Sequence, residues 1–111
     1  MEPNDFESCA ERLKAMADPD RLRIVTLLRS GPLNVSEVAT ALDQEIANVS
    51  HHLGILRRNK IVRATKKGRF VVYDLHPDVC VTTESESPNL QVNFGCCFVN
   101  LDGAQKSDVG G

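Results

Sequence analysis

The sequence predicts an α+β fold of four helices, a β-hairpin and a further run of strands. Three observations carry this. Apolar residues recur at helical spacing as far as Asn59. After Lys60 the composition shifts to β-branched and aromatic residues around Gly68. From Leu90 to Phe98, apolar residues alternate with polar or small ones at strand period. A chain of 111 residues, 41% hydrophobic and 25% charged, reads as one ordinary globular core. With no Trp and four Phe, that core has few large anchors, which favours a dimer.

The first helix runs from about Phe6 to Ala17, with Phe6, Cys9, Leu13 and Ala17 at helical spacing. Asp18-Pro19 then starts a second helix, since Asp caps well and Pro loses nothing at the first helical position. This helix presents Leu22, Ile24, Val25, Leu27 and Leu28 and ends near Gly31-Pro32. Asn34-Val35-Ser36-Glu37 has the form of a capping box and opens a short third helix with Val38, Ala39 and Leu42 inward. Asp43-Gln44 is a tight turn. The fourth helix runs from about Glu45 to Asn59, with Ile46, Val49, Leu53 and Leu56 as its core stripe. Two strands, 61–65 and 70–75, flank a Lys66-Lys67-Gly68-Arg69 tip where Gly accepts positive φ. Helices three and four so close together form a helix-turn-helix, and the hairpin is its wing. Residues 1–77 make that DNA-binding unit, 78–101 a strand extension, and 102–111 a disordered tail.

Charge is segregated along the chain. Residues 46–73 hold seven basic side chains and no acidic one, while the flanks are acidic and the whole chain is at −2. Such a block suits a polyanion. With the stripe of helix four facing inward, Ala47, Asn48, His51, Ile55 and Arg58 face out, with Ser50 and His52 on the flanks. Asn and His can hydrogen-bond base edges, Ser suits phosphates, and Ala47 permits close approach. Lys66, Lys67 and Arg69 of the wing would lie on phosphates or in a minor groove. No apolar run is long enough for a membrane span, and the acidic N-terminus is not a secretory signal. The expected setting is the cytoplasm, with the four cysteines as thiols.

Leu22-Arg23-Ile24-Val25-Thr26-Leu27-Leu28, Asn48-Val49-Ser50-His51-His52-Leu53 with Leu56-Arg57, and the hairpin around Lys67-Gly68-Arg69 resemble the arsenic-repressor (ArsR/SmtB) family. The resemblance covers about residues 6–77. It implies a homodimeric winged helix-turn-helix repressor that holds a double-stranded DNA operator and leaves it when an inducer binds.

The chain departs from the family at both usual sensor sites. Arsenic-sensing members carry Leu-Cys-Val-Cys-Asp-Leu-Ala at the third helix, whereas this chain reads Leu33-Asn34-Val35-Ser36-Glu37-Val38-Ala39. Neither Asn34 nor Ser36 replaces a soft sulfur ligand. Zinc-sensing members use Asp and His on a fifth helix, but residues 78–101 read as strands and contain no His. The fold expected is therefore the winged helix-turn-helix with a strand extension instead of a fifth helix.

Cys80, Cys96 and Cys97 remain as candidate ligands for a thiophilic inducer such as As(III), or as a redox site. No cofactor is required. In a regular strand, Cys96 and Cys97 point to opposite faces, and Cys96 would then be a small buried hydrophobe; Gly95 would permit a bulge that joins the sulfurs. Both readings stay open. Two rival functions are a winged-helix protein-interaction module without DNA and a small thiol enzyme. The enzyme reading is disfavoured because no basic residue adjoins Cys96-Cys97 to lower a thiol pKa.

Overall fold

The computed structural model describes residues 3–77, 79–83, 90–94 and 98–101. Helices α1 (Pro3–Met16), α2 (Pro19–Leu28), α3 (Val35–Leu42) and α4 (Ile46–Arg58) alternate with short connections. A two-residue strand, β1 (Leu33–Asn34), precedes α3; β2 (Val62–Lys67) and β3 (Phe70–Leu75) follow α4. These three form one antiparallel sheet in the order β1-β3-β2. The fold is the winged helix-turn-helix that the sequence predicts. The third strand of the wing, β1, was not legible because two residues are too few to show a period.

Local chemistry fixes the boundaries. Asp18 caps α2, its Oδ1 accepting from the backbone N–H groups of Asp20 (2.9 Å) and Arg21 (3.2 Å), with Pro19 in the first turn. The capping box at α3 is complete: Asn34 Oδ1 accepts from Glu37 N–H at 2.8 Å, and Glu37 Oε1 accepts from Asn34 N–H at 2.9 Å. Asp43 ends α3 in the left-handed region at φ 55°, ψ 51°, and Gln44 N–H then reaches the Ala39 carbonyl. At the wing tip Gly68 has φ 62° while Arg69 stays at negative φ, the backbone pattern of a type II′ hairpin.

The core is continuous. Ile24, Val25 and Leu28 of α2, Val38 and Ala39 of α3, and Val49, Leu53 and Leu56 of α4 meet Ile61 and Val62. Three strands follow the wing: β4 (Cys80–Thr83), β5 (Leu90–Asn93) and β6 (Phe98–Leu101), antiparallel in that order. The period-two alternation from Leu90 to Phe98 predicts one strand, yet it is divided into two that pair with each other, Asn93 opposite Phe98. Alternation reports which faces a segment offers, and a reversal within the segment leaves it unchanged. Val79, Val92 and Phe94 join the same apolar cluster as the helices.

Arg12 ties these parts together. Its Nε donates to the Asn59 carbonyl at the end of α4, and its Nη1 to the Phe94 carbonyl, both at 3.2 Å.

On α1, Phe6 is 64% exposed and Leu13 is 41% exposed, while Cys9, Ala15 and Met16 are buried. One inward assignment needs correction. Ile46 is 52% exposed, because it opens α4 beside the turn, ahead of the part of the helix that packs on the core. Arg57 is exposed. Cys9 is disulfide-bonded rather than a free thiol; a partner within reach decides this, and compartment alone does not.

Candidate nucleic-acid interface

The turn Asp43-Gln44-Glu45 between α3 and α4 lets α4 stand clear of the body along one side. Ala47, Asn48, Ser50, His51 and Arg58 are all exposed there, as expected of a face that meets DNA. Gly54 lies on the same side, with no atom within 4 Å of where a Cβ would stand. The sequence reading passed over Gly54, although its angular position on the helix signals it. A small residue here lets another backbone come close.

Two candidates fall elsewhere. Ile55 is half-buried and packs against the core. His52 is 8% exposed and turns inward from the flank. Arg21 Nη1 lies 3.1 Å from His52 Nδ1. A guanidinium only donates, so Nδ1 accepts and the imidazole proton sits on Nε2. That nitrogen faces Asp20 Oδ2 at 3.6 Å. An inward His at this position partners a half-buried arginine and is withdrawn from the exposed face.

Asp20 is the centre of this polar network. Its Oδ1 accepts from Arg23 Nη1 at 2.7 Å and from Gln44 Nε2 at 2.9 Å. Gln44 Oε1 in turn accepts from Asn48 Nδ2. Asp18, Asp20 and His52 bring potential ligand atoms within 4.8 Å of one another. Each of these residues already has partners, in the α2 cap or in Arg21, Arg23 and Gln44, whose charges and donors serve the carboxylates as a cation would. Burial raises the Asp18 carboxyl pKa, but the amides of Arg21 and Asp20 outweigh it and leave the pKa below the ordinary value.

Charge is distributed unevenly over the exposed face. Asp43 and Glu45 flank the open groove at the start of α4, beside Gln44, Ile46 and Asn48. Arg57 and Arg58 stand at its other end. Lys66, Lys67 and Arg69 are exposed on the wing. Arg63 is paired across the strands with Asp74 at 3.0 and 3.2 Å, which raises its pKa and takes it out of the free basic set. Cys80 opens β4, while Cys96 and Cys97 lie outside the described residues.

Known proteins share this arrangement. Residues 16–64, from the end of α1 into β2, match the helix-turn-helix domain family. The transcriptional repressor SdpR of Bacillus subtilis is 32% identical over 81 residues, which are 73% of this chain and 86% of SdpR. The HTH-type transcriptional regulator NmtR of Mycobacterium tuberculosis is 45% identical over 77 residues, covering 67% of this chain and 64% of NmtR. A homodimeric winged helix-turn-helix DNA-binding domain from Mycobacterium bovis, a possible ArsR-family transcriptional regulator, superposes with a TM-score of 0.63 at 27% identity. That match covers 68% of this chain and 72% of the other. This chain belongs to the ArsR/SmtB family. ArsR/SmtB proteins are DNA-binding regulators of transcription, and this one is accordingly a regulator and not an enzyme. Among its described residues no helix is long and apolar enough to cross a membrane.

Proposed function

We propose that this chain is a homodimeric transcriptional repressor that reads an inverted-repeat operator and is released by a thiol-directed signal. The observation that carries the DNA reading is the free side of α4, with Asn48, Ser50, His51 and Arg58 exposed beside the basic wing. Asn48 and His51 read base edges; Arg58, Lys66, Lys67 and Arg69 hold phosphates.

Dimerisation is supported by α1, where Phe6, Ala10, Leu13 and Ala17 form an exposed stripe at helical spacing. A second copy would cover it and place one recognition helix in each half-site, about one DNA turn apart.

The proposed trigger lies at the cysteines. Neither usual family sensor has its ligands, and Cys9 is disulfide-bonded, while the three other cysteines all lie in the C-terminal extension. A disulfide among Cys80, Cys96 and Cys97, or As(III) on their thiolates, would give the signal different affinity for bound and released dimers. The test titrates the reduced protein–DNA complex with As(III) and with a disulfide oxidant, for wild type and for Cys96→Ser/Cys97→Ser. Release of both proteins at the same inducer concentration would make these two thiols structural. A monomer on DNA at micromolar protein would overturn the dimer.

A further inference from the structure

Asn48 is not free to turn its amide. Asn and Gln side chains each have an oxygen that accepts and a nitrogen that donates, and their orientation is settled by the fixed groups around them. Here the fixed group is Asp20, a carboxylate that only accepts. It is held by Arg23 at 2.7 Å on its own helix. Gln44 must therefore point its NH2 at Asp20, and it does, at 2.9 Å. Its Oε1 is then left facing Asn48, which must answer with its own NH2.

Polarity passes in one direction along three residues, from the start of α2 through the turn to the reading helix. Gln44 itself is pinned by its backbone, through the Ala39 carbonyl and the left-handed Asp43. The relay leaves Asn48 one N–H and its Oδ1 for a partner outside the protein. A donor and an acceptor on one amide match adenine, whose major-groove edge offers N7 as acceptor and N6–H as donor.

We propose that Gln44 is a specificity-determining positioning residue that, with Asp20, presets the Asn48 amide to read adenine. Gln44 acts through Asn48 and does not touch the base. The proposal rests on the assignment of Asn48 to base reading. Presetting matters because an amide free to flip would lose rotational freedom on binding, and would offer its wrong face half of the time.

The experiment uses the full chain and duplexes that the wild type selects from a randomised double-stranded DNA pool. Each base pair of the selected site is then varied, and binding is measured for wild type, Asn48→Ala, Gln44→Met, Asp20→Asn and Gln44→Met/Asn48→Ala. Asn48→Ala is expected to flatten an adenine preference at one position per half-site, by roughly 5- to 100-fold. Gln44→Met, which keeps length but loses both hydrogen bonds, is expected to cut the preference at that same position about fivefold. Affinity for random DNA and the thermal midpoint should stay at wild-type values. The double variant should behave as Asn48→Ala alone, because Gln44 has no other route to the base. Asp20→Asn, whose amide can present either end to Gln44, should reduce the same preference by an independent change.

Full adenine preference in both Gln44→Met and Asp20→Asn, with Asn48→Ala flattened, would overturn the relay and leave the base-reading role standing. Additive losses in the double variant would do the same. If Asn48→Ala keeps every preference of the wild type, the base-reading role itself fails and the relay falls with it.

Discussion

The reading helix and the wing both stand in solvent, but they are held there by different means. α4 is anchored from behind by Val49, Leu53 and Leu56, fully out of water, and from the side by His52 on Arg21 and Asp20. The β2–β3 hairpin beyond its base is held by its own ladder, and Lys66, Lys67, Arg69, Phe70 and Val71 are all exposed. A rigid mount suits base edges, where a misplacement of an ångström loses a hydrogen bond. A compliant arm carrying flexible lysines suits phosphates, which repeat along any sequence. The two ends of α4 also differ in charge: Asp43 and Glu45 are acidic at its start, and Arg57 and Arg58 are basic at its other end.

The contrast is sharpest in stability. Leu53→Ala should cost about 2–5 kcal/mol by urea denaturation, while Phe70→Ala on the wing should stay within about 0.5 kcal/mol. Equal losses would show that the wing is as firmly mounted as the helix. In DNA binding, Asn48→Ala should lose about 1–3 kcal/mol of discrimination between operator and random DNA. Lys66→Ala or Lys67→Ala should weaken both alike and lower the salt slope by about one. A change of sequence preference in the lysine variants would exchange the two roles.

The cap behind the network gives a smaller effect with a pH signature. Asp18→Ala should cost about 1 kcal/mol at neutral pH. The Asp18 pKa is lowered in the folded protein, so its contribution is complete above the unfolded value of about 3.9 and fades as pH falls through the folded one. Wild-type and variant melting curves should therefore converge in acid. Smallest is Gly54→Ala, where open space awaits the new methyl. It should stabilise the free protein by about 0.5–1 kcal/mol and weaken DNA binding, since the methyl would enter the closest approach. A gain in both would show that α4 does not come so close.

Much of this was legible in the sequence. Asp18-Pro19, Asn34…Glu37 and Gly68 announce helix starts and a hairpin because each does a local job that few other residues do. The exposed face of α4 followed from periodicity, with one recurrent error. Periodicity puts Ile46 in the core stripe and His52 on its flank, whereas the structure exposes Ile46 and buries His52. The inward His52 is partnered by Arg21, which is 31 positions away in sequence, and no local pattern carries that information. Gln44 was passed over for the same reason, since its partner Asp20 lies 24 positions upstream. On α1, the helical spacing of Phe6 and Leu13 is legible, but spacing alone does not say that they stand exposed in one chain.

Arg12 adds a mechanical constraint to this picture. One planar guanidinium holds the carbonyl of Asn59, just past the end of α4, and the Phe94 carbonyl beside β5, both at 3.2 Å. Such bonds tolerate only a few tenths of an ångström before they weaken. The C-terminal sheet and the end of α4 are thus joined through one side chain of α1, over and above the apolar cluster they share, and a shift of the sheet strains both bonds at once. Lysine at this position would carry the charge without the rigid fork, and one ammonium would not span the two carbonyls in the same way.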